Sequence, residues 1–210
     1  MKKSKKYIIG VVIALLVLYF SFDIENLEEH RAKSGKTKFN AEVFANKIWD
    51  ENLMKIEAPD ASVLIKQLNE NKQKAFDKYG RKLGIAQTHY FLLQGTGIVQ
   101  SVEKEYISVL LNNNNDSIKI ISDFIFGNAV RDGSGLVDIN NFTNMTDFNN
   151  VSIELNKKVR KEVVLQLKKS ASAGMKIDFA GVAELRKDKD IPMSLSIIPI
   201  KANLSNDNKQ

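Results

Sequence analysis

The chain has 210 residues, 43% of them hydrophobic and 27% charged, the proportions of one folded domain with an appendage. The net charge is +6, but Lys2, Lys3, Lys5 and Lys6 supply four of those charges, and what remains is too little for a nucleic-acid partner. Cysteine is absent and the only histidines are His30 and His89, which removes disulfides, thiolate metal sites, a cysteine nucleophile, a lipid-bearing cysteine and a multi-histidine zinc site. No cofactor is expected.

Residues 1–22 (MKKSKKYIIGVVIALLVLYFSF) place a lysine cluster before a charge-free apolar run from Tyr7 to Phe22. As a helix this run rises roughly 24 Å, a little short of a ~30 Å hydrocarbon core. Tyr7, Tyr19, Phe20 and snorkelling lysines make up the difference at the interfaces. The lysines favour the cytoplasm, so the rest of the chain is expected outside, on a single-pass anchor in the cell membrane. A cleaved signal peptide is the alternative, but Tyr19-Phe20-Ser21-Phe22-Asp23 is a poor cleavage site. Residues 23–38 are polar and read as a juxtamembrane helix running into a linker.

Residues 39–205 read as the extracytoplasmic domain, helical over 39–80 and strand-rich over 88–205. Asn40 is placed to cap a helix whose face is Ala41, Phe44, Ile48 and Trp49. Pro59 precedes a second helix with Ala61, Leu64, Ile65 and Leu68 at helical spacing. Ala75, Phe76 and Tyr79 mark a third, closed by Gly80 as its C-terminal cap. Trp49, the single tryptophan, reads as a packing anchor.

Three β-type runs follow. Tyr90–Val102 is rich in aromatic and β-branched residues, with Gly95 and Gly97 expected to mark a bulge or bend. Glu105–Leu111 and Ser117–Phe126 are the second and third strands, joined by the asparagine turn Asn112–Asp116. Val151, Leu155, Val159, Val163 and Leu167 stand at strict fourfold spacing and predict a helix over Val151–Lys169, with Asn150 and Glu154 helping its start and Gly174 ending it. Ile177–Leu185 and Met193–Leu204 are the last strands, separated by the charged turn Arg186–Asp190. The fold class is therefore α+β. Three strands, a helix and two strands match the five-stranded barrel of the OB-fold. A split α+β sandwich is the alternative, because periodicity fixes elements but not closure.

The connection Phe126–Phe142 (FGNAVRDGSGLVDINNF) carries the densest chemistry. Asp132, Ser134 and Asp138 have calcium-type oxygens, but their spacing departs from a twelve-residue calcium loop. Arg131 and Asp132 pair with each other or with loop backbone, or Arg131 binds a carboxylate or sugar hydroxyls; both readings stay open. The binding candidates are Arg131, Asp132, Asp138 and Asn141. Ser134 lacks the glycines two residues to either side that a nucleophile elbow needs. Asn141, Asn144, Asn149 and Asn150 fall partly in glycosylation-like settings, a coincidence in an Asn-rich stretch. Lys78-Tyr79-Gly80-Arg81 reads as a helix end with cations answering the dipole.

Ile48-Trp49-Asp50 with Leu53, Tyr79-Gly80-Arg81, Tyr90-Phe91-Leu92 and Gly95-Thr96-Gly97 form an ordered set of landmarks. Gly127, Ala129-Val130-Arg131-Asp132, Asp138 through Asn144 and Phe148 continue it. Over about 39–204 the chain resembles the DUF2291 family of predicted periplasmic lipoproteins. The resemblance implies no particular reaction. It implies an accessory role outside the membrane, because members tend to be encoded beside ABC-type sugar uptake systems. It also places the family's recurring Arg-Asp pair on Arg131 and Asp132. Lacking an acylatable cysteine, the chain departs from the lipoprotein pattern, and the apolar helix takes over as anchor.

The sequence thus points to a membrane-anchored accessory or binding protein, not an enzyme. Its expected partners are the membrane, an ABC transporter permease or solute-binding protein, and a carbohydrate ligand. A structural envelope protein without a small-molecule ligand is the alternative, followed by an enzyme working through carboxylates such as Asp132 and Asp138.

Overall fold

The computed structural model describes residues 39–112 and 116–205, together with Leu16. Apart from Leu16, the anchor expected over 1–22, the linker over 23–38 and the centre of the asparagine turn lie outside this set. No helix among the described residues is long and apolar enough to cross a membrane. Asn40–Gln210 forms one compact unit of the chain, in which the helices of 39–80 and the strands of 88–205 fall together.

Helix α1 (Ala41–Glu51) begins at Asn40, whose Oδ1 accepts from the Val43 amide. Such a cap is worth about 1 kcal/mol. Ala45, Ile48 and Trp49 form its buried face, and a 3₁₀ turn (Leu53–Lys55) follows. Asp60 caps α2 (Ala61–Glu70), which buries Ala61, Leu64, Ile65 and Leu68 as its periodicity requires. Asn71 caps α3 (Lys72–Tyr79), and its Phe76 meets Phe91 edge-on with ring centroids 4.9 Å apart. Gly80 follows α3 with an extended backbone (φ −82°), not a left-handed one. Glycine is needed there for space: a Cβ would stand 2.7 Å from the Phe76 carbonyl oxygen.

The strands are β1 (Gly80–Arg81), β2 (Thr88–Val102), β3 (Tyr106–Leu111), β4 (Ser117–Ile121), β5 (Lys176–Arg186) and β6 (Leu195–Ser205). The sheet order is β1-β2-β3-β4-β6-β5, and β2 also pairs with β5. Strands β2 to β6 therefore close a five-stranded barrel, with β4–β6 parallel and its other pairings antiparallel. That is the OB-fold connectivity, and closure removes the sandwich alternative. Ile107, Val109, Leu111, Ile118 and Ile120 alternate into the core from β3 and β4.

Strand β2 achieves closure by changing partners along its length. Thr88–Ile98 pairs with β5, and Gly97–Val102 pairs with β3. Gly97 lies where the two ladders overlap, and a Cβ there would approach the Leu110 carbonyl oxygen to 2.3 Å. The register shift itself falls between Val99 and Ser101, not at the glycines.

Two boundaries differ from the sequence reading. Strand β4 stops at Ile121 rather than Phe126, because its parallel ladder with β6 covers only Ile118–Ile120 and the chain then turns away. The long helix starts at Met145, not Val151. Asn144 Oδ1 accepts from the Asp147 amide at 2.8 Å, while Asn144 Nδ2 donates to the Asp147 carboxylate at 2.7 Å. The rod runs as α5 (Met145–Lys158), a π segment (Val159–Val164) and a final α turn (Leu165–Ser170). A short helix, α4 (Ala129–Ser134), also interrupts the connection that reads as loop.

Candidate functional site

Arg131 projects from α4 and is 1% exposed. Its Nε and Nη2 donate to the Asp132 carboxylate at 2.7 and 3.2 Å. Its Nη1 donates to the Phe148 carbonyl and to Asn149 Oδ1, both at 3.1 Å. The guanidinium also lies over the Phe148 ring. All three nitrogens are thus engaged inside the protein, and Arg131 ties α4 to the first turns of α5. At the other end of α4, Arg81 Nη1 donates to the carbonyls of Gly133 and Ser134 at 2.7 and 2.6 Å. The basic run at the end of α3 therefore satisfies the C-terminus of a different helix.

Asp138 and Asn141 lie apart from that pair by every bond they make. Asp138 Oδ1 accepts from the amide and side chain of Asn140, and its carbonyl accepts from the Asn141 amide, closing a 3₁₀ turn (Ile139–Asn141). Ser134 Oγ donates to the Arg131 carbonyl at 2.8 Å. The four sequence candidates are therefore two local pairs, each joined within itself. Tyr90, on β2, senses the first pair: burial pushes its hydroxyl up to about 12, reinforced by the charges of Glu184 and Asp132 and opposed by that of Arg131.

Three departures from ordinary local structure meet elsewhere, beside the end of β4. Ser122 is 1% exposed, and its Oγ makes no hydrogen bond with any described residue. A buried hydroxyl left unpaired costs about 1–3 kcal/mol. Phe124 has φ +50°, the one positive value at a described residue other than glycine, and its ring is 70% exposed. A left-handed conformation costs a side-chain-bearing residue about 1–2 kcal/mol. Opposite them runs the π segment, a helix form that recurs at functional sites.

Between these walls lies a groove of about 430 Å³. Lys157, Arg160, Lys161 and Lys168 line it, against one acid, Asp123. Lys157 is paired with Glu154 at 2.7 Å, and Lys168 reaches Asp123 at only 4.0 Å. Lys161 forms no ion pair with a described residue, and the Arg160 guanidinium donates to the Ile125 carbonyl, bridging the two walls. Phe124, Ile125, Val164 and Leu165 supply an apolar surface.

A second cleft of about 340 Å³ adjoins it, sharing Ile125 and Arg160. Apart from the shared Arg160 its lining is uncharged: Asn128, Asn149, Asn156 and Ser152 supply the polar groups, beside Ile153 and the exposed ring of Phe126. Asn156 Nδ2 donates to the Gly127 carbonyl at 2.8 Å, which leaves its amide oxygen for other partners. Ser152 Oγ is buried without a hydrogen bond to any described residue. The barrel face that OB-folds ordinarily use is not filled by the helices, which lie mainly against β2, β5 and β6. On it, Lys119 Nζ covers the Tyr106 ring at 4.7 Å.

None of the groove residues stands out in the sequence. Asp123-Phe124-Ile125-Phe126 is one acid followed by three apolar residues and passes for the end of a strand. Only the fourfold spacing of Val151 to Leu167 carries a signal of the π segment.

The fold and clefts define an OB-fold protein with recesses beside its long helix. The profile of the family described as "Predicted periplasmic lipoprotein (DUF2291)" matches residues 12–203, and the chain belongs to that family. Membership places it outside the cytoplasm in association with a membrane, although its 210 residues include no cysteine to carry lipid. Among solved structures, the chain is similar to an OB-fold protein from Thermotoga maritima MSB8, with 26% identity and a TM-score of 0.72. The match covers 80% of this chain and 100% of the other. No curated protein matches.

Proposed function

We propose that this is an extracytoplasmic, membrane-associated binding protein, not an enzyme, acting beside an ABC-type sugar uptake system and taking a carbohydrate. The asparagine-lined cleft carries the reading. Planar amides from Asn128, Asn149 and Asn156 with the free hydroxyl of Ser152 suit a ligand dense in hydroxyls. The ring of Phe126, 73% exposed at the rim, offers a flat apolar surface for the C–H face of a sugar. The family's implied neighbourhood of sugar transporters supports the same ligand class. The permease or solute-binding protein is then the macromolecular partner.

The test is the melting temperature of the Asn40–Gln210 unit against a panel of monosaccharides, because a ligand of the native state stabilises by mass action. One sugar, or a few related ones, should raise it by several degrees at millimolar concentration. Phe126→Ala should abolish the rise without lowering the sugar-free value. A flat response to every sugar sinks the carbohydrate reading and favours a structural envelope role.

A further inference from the structure

We infer that the groove between Ser122–Ile125 and the π segment is a binding site for an amphiphilic anion, one phosphate or carboxylate head carrying a hydrocarbon chain. It adjoins the asparagine-lined cleft, sharing Ile125 and Arg160, but the inference does not rest on the carbohydrate reading. Four cations and one acid line the groove; Lys157 is paired with Glu154, but Lys161 has no counter-charge among the described residues. An anion is the complement, and lysine and arginine donors hold it by charge-assisted bonds. The same recess presents Phe124, Ile125, Val164 and Leu165, apolar surface that a small inorganic anion leaves unused. A head and a chain together satisfy both walls.

The buried Ser122 hydroxyl points independently to a ligand. It lines the groove without a hydrogen-bond partner among the described residues, and an anionic oxygen is the acceptor it lacks. The strained backbone at Phe124 sets the ring at the mouth of the recess, where it meets a chain instead of packing into the core. Strain of this kind persists where the surroundings over-determine it and gathers at ligand clamps. The π segment presents Arg160, Lys161 and Val164 from one wall, so both head and chain contacts come from the same irregular turn.

Decyl phosphate and decanoate, below their micelle-forming concentrations, are titrated into the Asn40–Gln210 unit, which holds the closed barrel and the described core. Decanol and inorganic phosphate serve as controls for chain alone and head alone. Saturable one-to-one binding of the two anions is expected, with each control weaker by about tenfold or more. Lys161→Gln with Lys168→Gln should weaken decyl phosphate by about tenfold and leave the domain folded, since both side chains are exposed. Ser122→Ala should weaken it severalfold. A second arm sediments the same unit with phosphatidylglycerol or phosphatidylcholine vesicles. Retention on the anionic vesicles, competed by decyl phosphate, identifies a membrane lipid as the source; no retention identifies a free amphiphile. The inference is overturned by decanol or inorganic phosphate binding as well as decyl phosphate, or by no binding of monomeric anions. Vesicle retention that decyl phosphate cannot compete overturns it too, since that is surface charge alone.

Discussion

The guanidinium carbon of Arg131 lies 3.6 Å from the centroid of the Phe148 ring, and the same guanidinium donates to the Phe148 backbone carbonyl at 3.1 Å. One side chain thus grips one residue of α5 by its ring and its backbone at once, while its remaining donors hold Asp132. Geometry of this kind belongs to arginine: the planar fork stacks and bonds in the same pose, which a lysine ammonium cannot reproduce.

Removing that grip should be expensive. Arg131→Ala leaves the Asp132 carboxylate, itself only 9% exposed, without its partner, and breaking a buried pair from one side costs about 3–5 kcal/mol. Arg131→Lys should recover only part of the loss, because it forfeits the two-point contact with Asp132 and the stacking on Phe148. Urea unfolding of the three proteins checks this. An Arg131→Ala protein within 1 kcal/mol of the parent, by about the error of such a comparison, removes the structural role.

Helix α4 meets the barrel through a glycine. A Cβ on Gly133 would stand 2.4 Å from one methyl of Val182 and 2.9 Å from the other, on β5. Gly133→Ala should therefore destabilise by about 1–3 kcal/mol, as overpacking does in a filled core. Val182→Ala removes both methyls, so the double variant should be more stable than the sum of the two single losses predicts. Additive losses in the double-mutant cycle mean that the contact is not what fixes glycine there.

Tyr90 gives the domain an alkaline limit. Its folded-state value of about 12 lies above the ordinary value of 10 that it regains on unfolding. The native state thus holds the proton more tightly. The resulting stabilisation is fully present below pH 10 and is lost as the pH rises to 12. Solvent screening at this part-exposed ring keeps the loss on the order of 1 kcal/mol. The measurement is the difference in unfolding free energy between the parent and Tyr90→Phe at each pH, which cancels other alkaline titrations. That difference should be flat to about pH 9 and shrink above it.

Where one element repeats one signal, the chain is readable from its sequence. The capped helix with Ala61, Leu64, Ile65 and Leu68 is such a case, and so are the alternating strands β3 and β4. The long helix shows how a signal can be present and misread. Strict fourfold spacing advances about 40° beyond a full α-turn at each step, so Leu167 should sit nearly opposite Val151. Both are nonetheless buried, because the π segment turns less per residue and brings the later positions back to one face. Arg131 and Asp132 are adjacent, so their pairing is local, whereas the Phe148 ring that completes their setting comes from a helix start hidden behind Asn144. The groove is least legible of all. Nothing local distinguishes Ser122, whose Oγ is left without a described partner where β4 ends beside the groove under the π segment.

That orphaned hydroxyl and the strained Phe124 make one last expectation, on stability rather than binding. Ser122→Ala removes a buried polar group with no described partner, and Phe124→Gly supplies the residue that accepts a positive φ without strain. Phe124 is mostly exposed, so losing its ring sacrifices little packing. Each change should leave the domain as stable as the parent or more so, by up to about 1 kcal/mol in urea unfolding. Residues kept at the expense of stability are the pattern of a ligand site. If both variants are instead destabilised by more than about 1 kcal/mol, the serine and the phenylalanine serve the fold, and the groove loses two of the features that set it apart.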